Sequence, residues 1–292
     1  MIGLRRAVLG RRPPRRGRYG LSGPAPSPMR GRGMEYAESR EYAIGDDARH
    51  IDWRLTARTG RPHTKLFQAE RERLTLIAVD TAAAMYFGTR VRFKSVQAAR
   101  AGAIAVWAAV RDGDRIAALR GSAREAPIVP ASGTRGALRV LDALTRWYAA
   151  RPEEDAGLGV ALEHADRLLR PGSRLVILAE PASILALPES RWPTLAQHRE
   201  LIVLLLSDPL EREPPHALLP FVTTAATAAA GATQRIELDL ATDAQRQRWR
   251  SAFDGPGAQA WTILQRNAVR TRVLSSEAAS DAWLDLMLAT RT

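Results

Sequence analysis

A chain of 292 residues, 46% hydrophobic and 25% charged, can bury a sizeable core and hold one large α/β domain or two small ones. It has no cysteine, which excludes disulfides, thiolate metal sites and a cysteine nucleophile, and fits a reducing compartment. The net charge of +12 sits mainly at one end: residues 1–33 carry nine arginines and no acid, so the remainder is close to balanced.

Five prolines accompany those arginines, with little apolar surface, and this composition predicts a flexible Arg/Pro-rich arm over residues 1–30. Such an arm suits weak contact of residues 1–33 with an anionic surface, nucleic acid or lipid, although no aromatic platform or nucleic-acid motif accompanies it. The stretch LRRAVLGRR pairs arginines, but the apolar segment of roughly 7–15 residues that an export signal needs does not follow. The longest wholly apolar or glycine run, Ala101–Val110, is ten residues. A bilayer span needs about 20. The expectation is a cytoplasmic protein without a transmembrane segment.

Residues 41–60, EYAIGDDARHIDWRLTARTG, gather Asp46, Asp47, Asp52, Arg49, Arg54, Arg58 and His50 around Ile51 and Trp53. Gly45 with Asp46 predicts a turn. In an extended segment His50 and Asp52 share one face, and Ile51 and Trp53 pack from the other onto the main sheet. Residues 34–73 contain eight acids and eight bases, so the segment reads as an ion-paired brace in which Arg40, Arg49 and Arg58 meet Asp46, Asp47 or Asp52. A second reading keeps this geometry and makes its outer face a docking site, because arginine and tryptophan are enriched at interface hot spots. A third takes His50 and Asp52 as the metal pair of a hydrolase, with the carboxylates doing acid–base work; no second histidine pair or nucleophile accompanies them.

Beyond residue 64 the chain alternates. TKLFQAE and LTLIAVD read as strands, followed by an alanine-rich helix from Lys94 to Val110 that Gly113 closes. RIAALRG is the next strand and REAPIVP an edge strand. Helices at Gly136–Ala149 and Gly159–Leu169 precede the buried strand SRLVILAE, a short helix at Trp192–His198 and the buried strand ELIVLLLSDP. TQRIELDL and VRTRVLSS are the last strands, alternating with helices at 242–253 and 278–289. Near-continuous apolar strands separated by helices indicate a parallel sheet covered on both faces, with ligands bound beyond the strand C-termini. The loops after Asp80, Glu180 and Ser207 would line that rim. No glycine-rich phosphate loop follows any of these strands.

One set of positions resembles the signature of the bacterial family called domain of unknown function 58. It comprises Gly31, Gly33, Glu35 and Tyr36; Arg40, Tyr42, Gly45, Asp46, Asp47, Arg49, Ile51, Asp52 and Trp53; Ala57 and Arg58; and Asp80. The likeness continues more weakly through GDR at 113–115 and HRELIVLLLSDPLEREPP to the last strand and helix. It implies an α/β fold of Rossmann-like von Willebrand factor A type: a doubly wound, mainly parallel sheet with helices on both faces. Residues 31–73 would be a signature segment packed on the main domain, and residues 74–292 the von Willebrand factor A-like domain. It also implies a non-enzymatic adaptor that works with a MoxR-type AAA+ ATPase in maturing or remodelling a client protein, with no cofactor. Domains of this type often bind Mg²⁺ through Asp-x-Ser-x-Ser after the first strand, with a later threonine and aspartate. Here the motif reads Asp80-Thr81-Ala82-Ala83-Ala84, DAGLGVAL lacks the threonine, and Glu180 stands where an aspartate would end the fourth strand. Mg²⁺ demands a near-octahedral set of oxygens. Only Asp80 and Glu180 remain as residual candidates, so no functional metal site is expected, and Asp80 reads as a cap for loop amides.

Overall fold

The computed structural model describes residues 1–9, 30–68, 73–224 and 233–288. A 3-10 turn at Ile2–Leu4 leads into the short helix α1 (Arg5–Leu9). Strands β1 (Arg30–Glu41) and β2 (His63–Gln68) pair antiparallel, with Glu41 opposite His63, and α2 (Trp53–Thr59) lies in their connection. Then come β3 (Leu74–Val79), α3 (Lys94–Asp112), β4 (Arg115–Arg120), β5 (Ile128–Ser132), α4 (Gly133–Ala149) and α5 (Gly157–Leu168). They are followed by β6 (Arg174–Ala179), α6 (Pro181–Leu185), α7 (Arg191–Ala196), β7 (Glu200–Ser207) and α8 (Pro209–Arg212). A second antiparallel pair, β8 (Leu218–Thr224) and β9 (Thr233–Asp239), precedes α9 (Asp243–Arg266), β10 (Arg270–Ser275) and α10 (Asp285–Leu288).

The six-stranded sheet runs β5-β4-β3-β6-β7-β10. Counting only its own strands, that is the 3-2-1-4-5-6 order of a doubly wound fold, whose ligand crevice lies where the order reverses, here between β3 and β6. All neighbours are parallel except the edge pair β4–β5. Alternation sorts the side chains. Ile77, Val79, Val176, Leu178, Ile202 and Leu204 face a core shared with α3 and α4, while Leu76, Ala78, Leu175, Ile177, Leu201 and Val203 face one shared with α5, α7 and the second half of α9. Both faces are thus covered, which is why these strands are apolar at nearly every position.

Gly113 takes the left-handed conformation at the end of α3 (φ 77°), as its place after the alanine-rich run predicts. Two strands read as part of the alternation stand outside the main sheet. β2 pairs with β1, and β9 pairs with β8. The helix expected over 278–289 is reduced to α10, preceded by turns. The flexible arm expected over 1–30 does not begin at residue 1. Val8 is fully buried in the α3–α4 core, with Leu4, one helical turn earlier, partly buried against it. The Arg5 guanidinium sits 5.5 Å above the Trp107 ring, and Trp107 Nε1 donates to the Met1 carbonyl at 3.4 Å. A short apolar stripe within a basic composition is enough to dock the helix, because α3 offers it a partner surface. Residues 10–29, the rest of the expected arm, lie outside the described residues. Among the described residues, no helix is long and apolar enough to cross a membrane.

Candidate functional site

The acids of GDDARHIDW act first on their own backbone. Gly45 (φ 105°) makes a turn that the Asp46 amide closes on the Ala43 carbonyl at 3.0 Å, while the Ala43 amide donates to Asp46 Oδ2 at 2.9 Å. Arg40 Nη2 donates to Asp46 Oδ1 at 2.6 Å, and the Tyr42 hydroxyl to the Asp46 carbonyl at 2.9 Å. Asp47 caps the 3-10 turn Ala48–His50. It accepts the Arg49 amide at 3.0 Å and the Arg49 guanidinium through both oxygens, at 3.1 and 2.9 Å. Asp52 caps α2, with Oδ1 accepting the Leu55 amide at 3.1 Å and Oδ2 the Ser39 hydroxyl at 3.2 Å. These donors hold all three carboxylates below their ordinary range: the Ala43 amide for Asp46, the Leu55 amide for Asp52, and the Arg49 side chain for Asp47, which falls to about 2.

The extended alternation expected through residues 50–53 is therefore absent. Capping by Asp47 and Asp52 winds the chain into two short helical turns, and this reorients the aromatic. Trp53 becomes the first residue of α2 and is 70% exposed, instead of anchoring on the main sheet. Ile51 is half-buried and bridges to Thr64. Arg40 and Arg49 make the expected pairs with Asp46 and Asp47. Arg58 and Arg54 are exposed and have no acidic partner among the described residues. Both oxygens of Asp52 are committed to its cap and to Ser39, so the His50/Asp52 pair does not present that carboxylate to a metal.

The rim of the main sheet is built differently. Asp80, at the end of β3, accepts the Ala82 amide at 2.9 Å through Oδ1 and the Glu180 amide at 3.0 Å through Oδ2, tying β3 to β6. Burial pushes the Asp80 carboxyl up, only partly offset by these amides and Ser183. The Tyr148 hydroxyl donates to the Asp80 carbonyl at 3.0 Å. Beside this lies Lys94, the first residue of α3, only 1% exposed. Its ammonium donates to Glu180 Oε2 at 2.6 Å and Glu211 Oε1 at 2.5 Å. Burial alone would push the ammonium's pKa down, but the two carboxylates more than offset this and hold it above its ordinary value. Glu180 itself is pushed up by burial, against the pull of Lys94. The other oxygen of Glu211 accepts the Asp208 amide at 2.9 Å, closing a capping box on α8. Asp208 in turn accepts the Thr89 hydroxyl at 2.5 Å and amide at 3.1 Å, and the Ser276 hydroxyl at 2.6 Å.

An aromatic row begins beside this cluster. The Phe87 ring centroid is 5.9 Å from Lys94 Nζ, and Phe87, Phe221, Trp249 and Phe253 follow one another at 6.5, 5.3 and 4.2 Å. Trp249 Nε1 donates to the Leu210 carbonyl at 2.7 Å, so the β8–β9 pair and the first half of α9 are fastened over the end of β7.

The residues present do not fit a magnesium site. Both Asp80 oxygens already take amides, the nearest oxygens of Glu180 and Glu211 take an ammonium, and positions 82 and 84 are alanine. No cluster of metal-ligating side chains occurs among the described residues. Lys94, Asp208 and Glu211 belong to this rim without any sequence motif that marks them. Composition held a signal for the first: the chain has 43 basic residues, of which only Lys65 and Lys94 are lysines. Of the two, Lys94 is the buried one, where a compact point charge sits between two carboxylates.

Fold and rim together define a doubly wound α/β domain whose ligand edge is filled by its own side chains, preceded by a capped, charged hairpin. The chain belongs to the family described as protein of unknown function DUF58, whose model matches residues 38–256. Uncharacterized proteins of Mycobacterium tuberculosis and Mycobacterium bovis are 32% identical over 193 residues, covering 63% of this chain and 58% of theirs. The chain thus spans somewhat over half the length of the curated relatives it matches. A solved structure of an aerotolerance-related membrane protein from Bacteroides fragilis aligns with 67% of this chain and 98% of that one, at 15% identity and a TM-score of 0.34.

Proposed function

We propose that this protein is a cytoplasmic, non-enzymatic adaptor of von Willebrand factor A type whose hairpin unit docks a partner protein. The observation that carries the reading is the exposure of Trp53 on a helix fixed at both ends, by the Asp52 cap and by Gly60 in the left-handed conformation (φ 71°). An exposed tryptophan costs favourable burial, and beside Arg54 and Arg58 it has the composition of an interface hot spot. Elsewhere on the same unit Asp47 pairs with Arg49 and Glu41 with Arg61, a mixed pattern that favours a protein surface over a run of phosphates. The 3-2-1-4-5-6 strand order supports the von Willebrand factor A reading. The family resemblance supports a MoxR-type AAA+ ATPase as the partner and a third protein as the client. Nucleic-acid or membrane binding by residues 1–33, and metal-dependent hydrolysis at His50/Asp52, are less well supported, since Arg5 is stacked on Trp107 and Asp52 serves as a cap.

The test is binding of the purified protein to the MoxR-type ATPase of its own source organism, with ATP and with ADP. Trp53→Ala and the double variant Arg54→Glu/Arg58→Glu should weaken association about tenfold or more while melting is unchanged. Binding that persists in both variants would rule out the hairpin face, and failure of the unmodified protein to bind would rule out this partner.

A further inference from the structure

We propose that the Lys94 ammonium is a built-in cation that locks the rim of the sheet, and that the acids around it become a cation site only when that side chain is shortened. Three rim loops meet at this one nitrogen. Lys94 itself ends the loop after β3, Glu180 follows β6, and Glu211 follows β7. This is the crevice at the reversal of strand order, where doubly wound sheets take their ligands. The acids are arranged as a cation would require: Glu180 and Glu211 both aim an oxygen at one point, and Asp80 is linked to Glu180 through that residue's own amide.

An ordinary buried residue does not explain the choice of side chain. An unpaired buried ammonium is costly, and a neutral residue of the same length would fill the space without that cost. The ammonium is needed because the carboxylates are there: Glu211 is placed by its capping box on α8 and Glu180 by its amide on Asp80, and the ammonium offsets their charge. Being covalently attached, this cation cannot be removed by chelation or dilution, and its side chain is only 1% exposed, with the Phe87 ring beside it. The rim is therefore held in one arrangement at any metal concentration. The ligand class of the shortened site is a small primary alkylammonium, since Glu180 and Glu211 offer it two oxygens where a divalent ion demands a fuller set.

Melting of the full chain tests this. The unmodified protein should melt at the same temperature in chelator and in millimolar MnCl₂. Lys94→Ala should melt about 5–10 °C lower, as expected for a broken buried ion pair in a domain of this size. Millimolar n-propylammonium, which supplies the deleted atoms, should recover at least half of that loss, and MnCl₂ less. Tetramethylammonium at the same ionic strength should recover none, and the double variant Lys94→Ala/Glu180→Gln should not respond to any of them. Two results overturn the proposal: stabilisation of the unmodified protein by MnCl₂ that vanishes in Asp80→Ala, or a folded Lys94→Ala that does not respond to n-propylammonium. Should Lys94→Ala not fold, Lys94→Met and Lys94→Met/Glu180→Gln are compared. Recovery of melting when the stranded carboxylate is neutralised supports a cation's role, and no recovery overturns it.

Discussion

Arg174 and Glu200 are the first residues of neighbouring parallel strands, and they face each other in register with Nε donating to Oε2 at 2.8 Å. Arg174 is 2% exposed and also reaches Asp112 at 3.3 Å and Asp114 at 3.7 Å. Arg73 meets Asp114 at 3.0 Å, and Arg270 meets Glu200 at 2.8 Å. The end of the sheet opposite the rim is thus closed by a network of ions bridging β3, β6, β7 and β10. Arg174→Met should cost about 3–5 kcal/mol, because it strands buried acids. Arg174→Lys should lose less, keeping charge but not the fork. Urea unfolding monitored by circular dichroism checks both, and equal midpoints for all three proteins would refute the network's importance.

Trp53 and Asp52 should separate stability from binding. Trp53→Ala removes a mostly exposed ring, so its effect on stability should stay within about 0.5 kcal/mol. A buried aromatic would cost roughly 3–5 kcal/mol. Asp52→Ala removes the α2 cap and should speed hydrogen exchange at the Leu55 amide, whereas Asp52→Asn, another good capping residue, should leave it near the original rate. Exchange measured by NMR distinguishes the three.

Gly121 is a steric requirement at the end of β4. A Cβ there would lie 1.9 Å from the Gly157 carbonyl oxygen, and the Gly121 carbonyl itself accepts the Ala156 amide at 3.0 Å. Gly121→Ala should therefore yield little folded protein. Gly257→Ala, which meets nothing within 4 Å inside α9, should be neutral or add up to about 1 kcal/mol. Soluble yield and melting temperature of the two variants give the comparison.

The hairpin's acids fix a pH window. Asp47 falls from an ordinary 3.8 to about 2 because Arg49 binds its charged form. Its folded-state value is depressed, so its contribution is complete above about 3.8 and is lost as the pH falls through about 2. The carboxyl carbon of Asp47, followed by NMR, should titrate near the lower figure in the folded protein and shift upward in Arg49→Ala.

The sheet was legible because burial on both faces leaves unbroken apolar runs. LTLIAV, RLVILA and ELIVLLLS are strands within a residue or two of where their composition places them. Strands with polar alternation were legible as strands but not as to partner. Nothing in TQRIELD says that it pairs with Leu218–Thr224 and not with the main sheet, because pairing is decided by residues distant in the chain. The site divided in the same way. The Gly45 turn and the Arg40–Asp46 pair are local and were foreseen. The exposure of Trp53 is not legible because Asp52, which looks like an ion-pair partner, caps α2 instead, while Asp47 both pairs with Arg49 and caps the turn before it. Lys94 is not legible as a site residue because Glu180 and Glu211 meet it from positions 86 and 117 residues away.

The strand order also fixes how the sheet can assemble during synthesis. β4 adds beside β3 and β5 beside β4; the chain then returns once to the free side of β3, after which β7 adds beside β6 and β10 beside β7. Each emerging strand joins an open edge, and none must be wedged between two already paired. The slow event is the single return, in which Thr75 must find Arg174 across α3, β4, β5, α4 and α5. Until β6 leaves the ribosome, β3 has an unpaired edge and apolar side chains on both faces, the condition under which nascent chains aggregate or recruit chaperones. Chains stalled before Arg174 should therefore be cut by protease within β3, and chains stalled beyond β7 should resist.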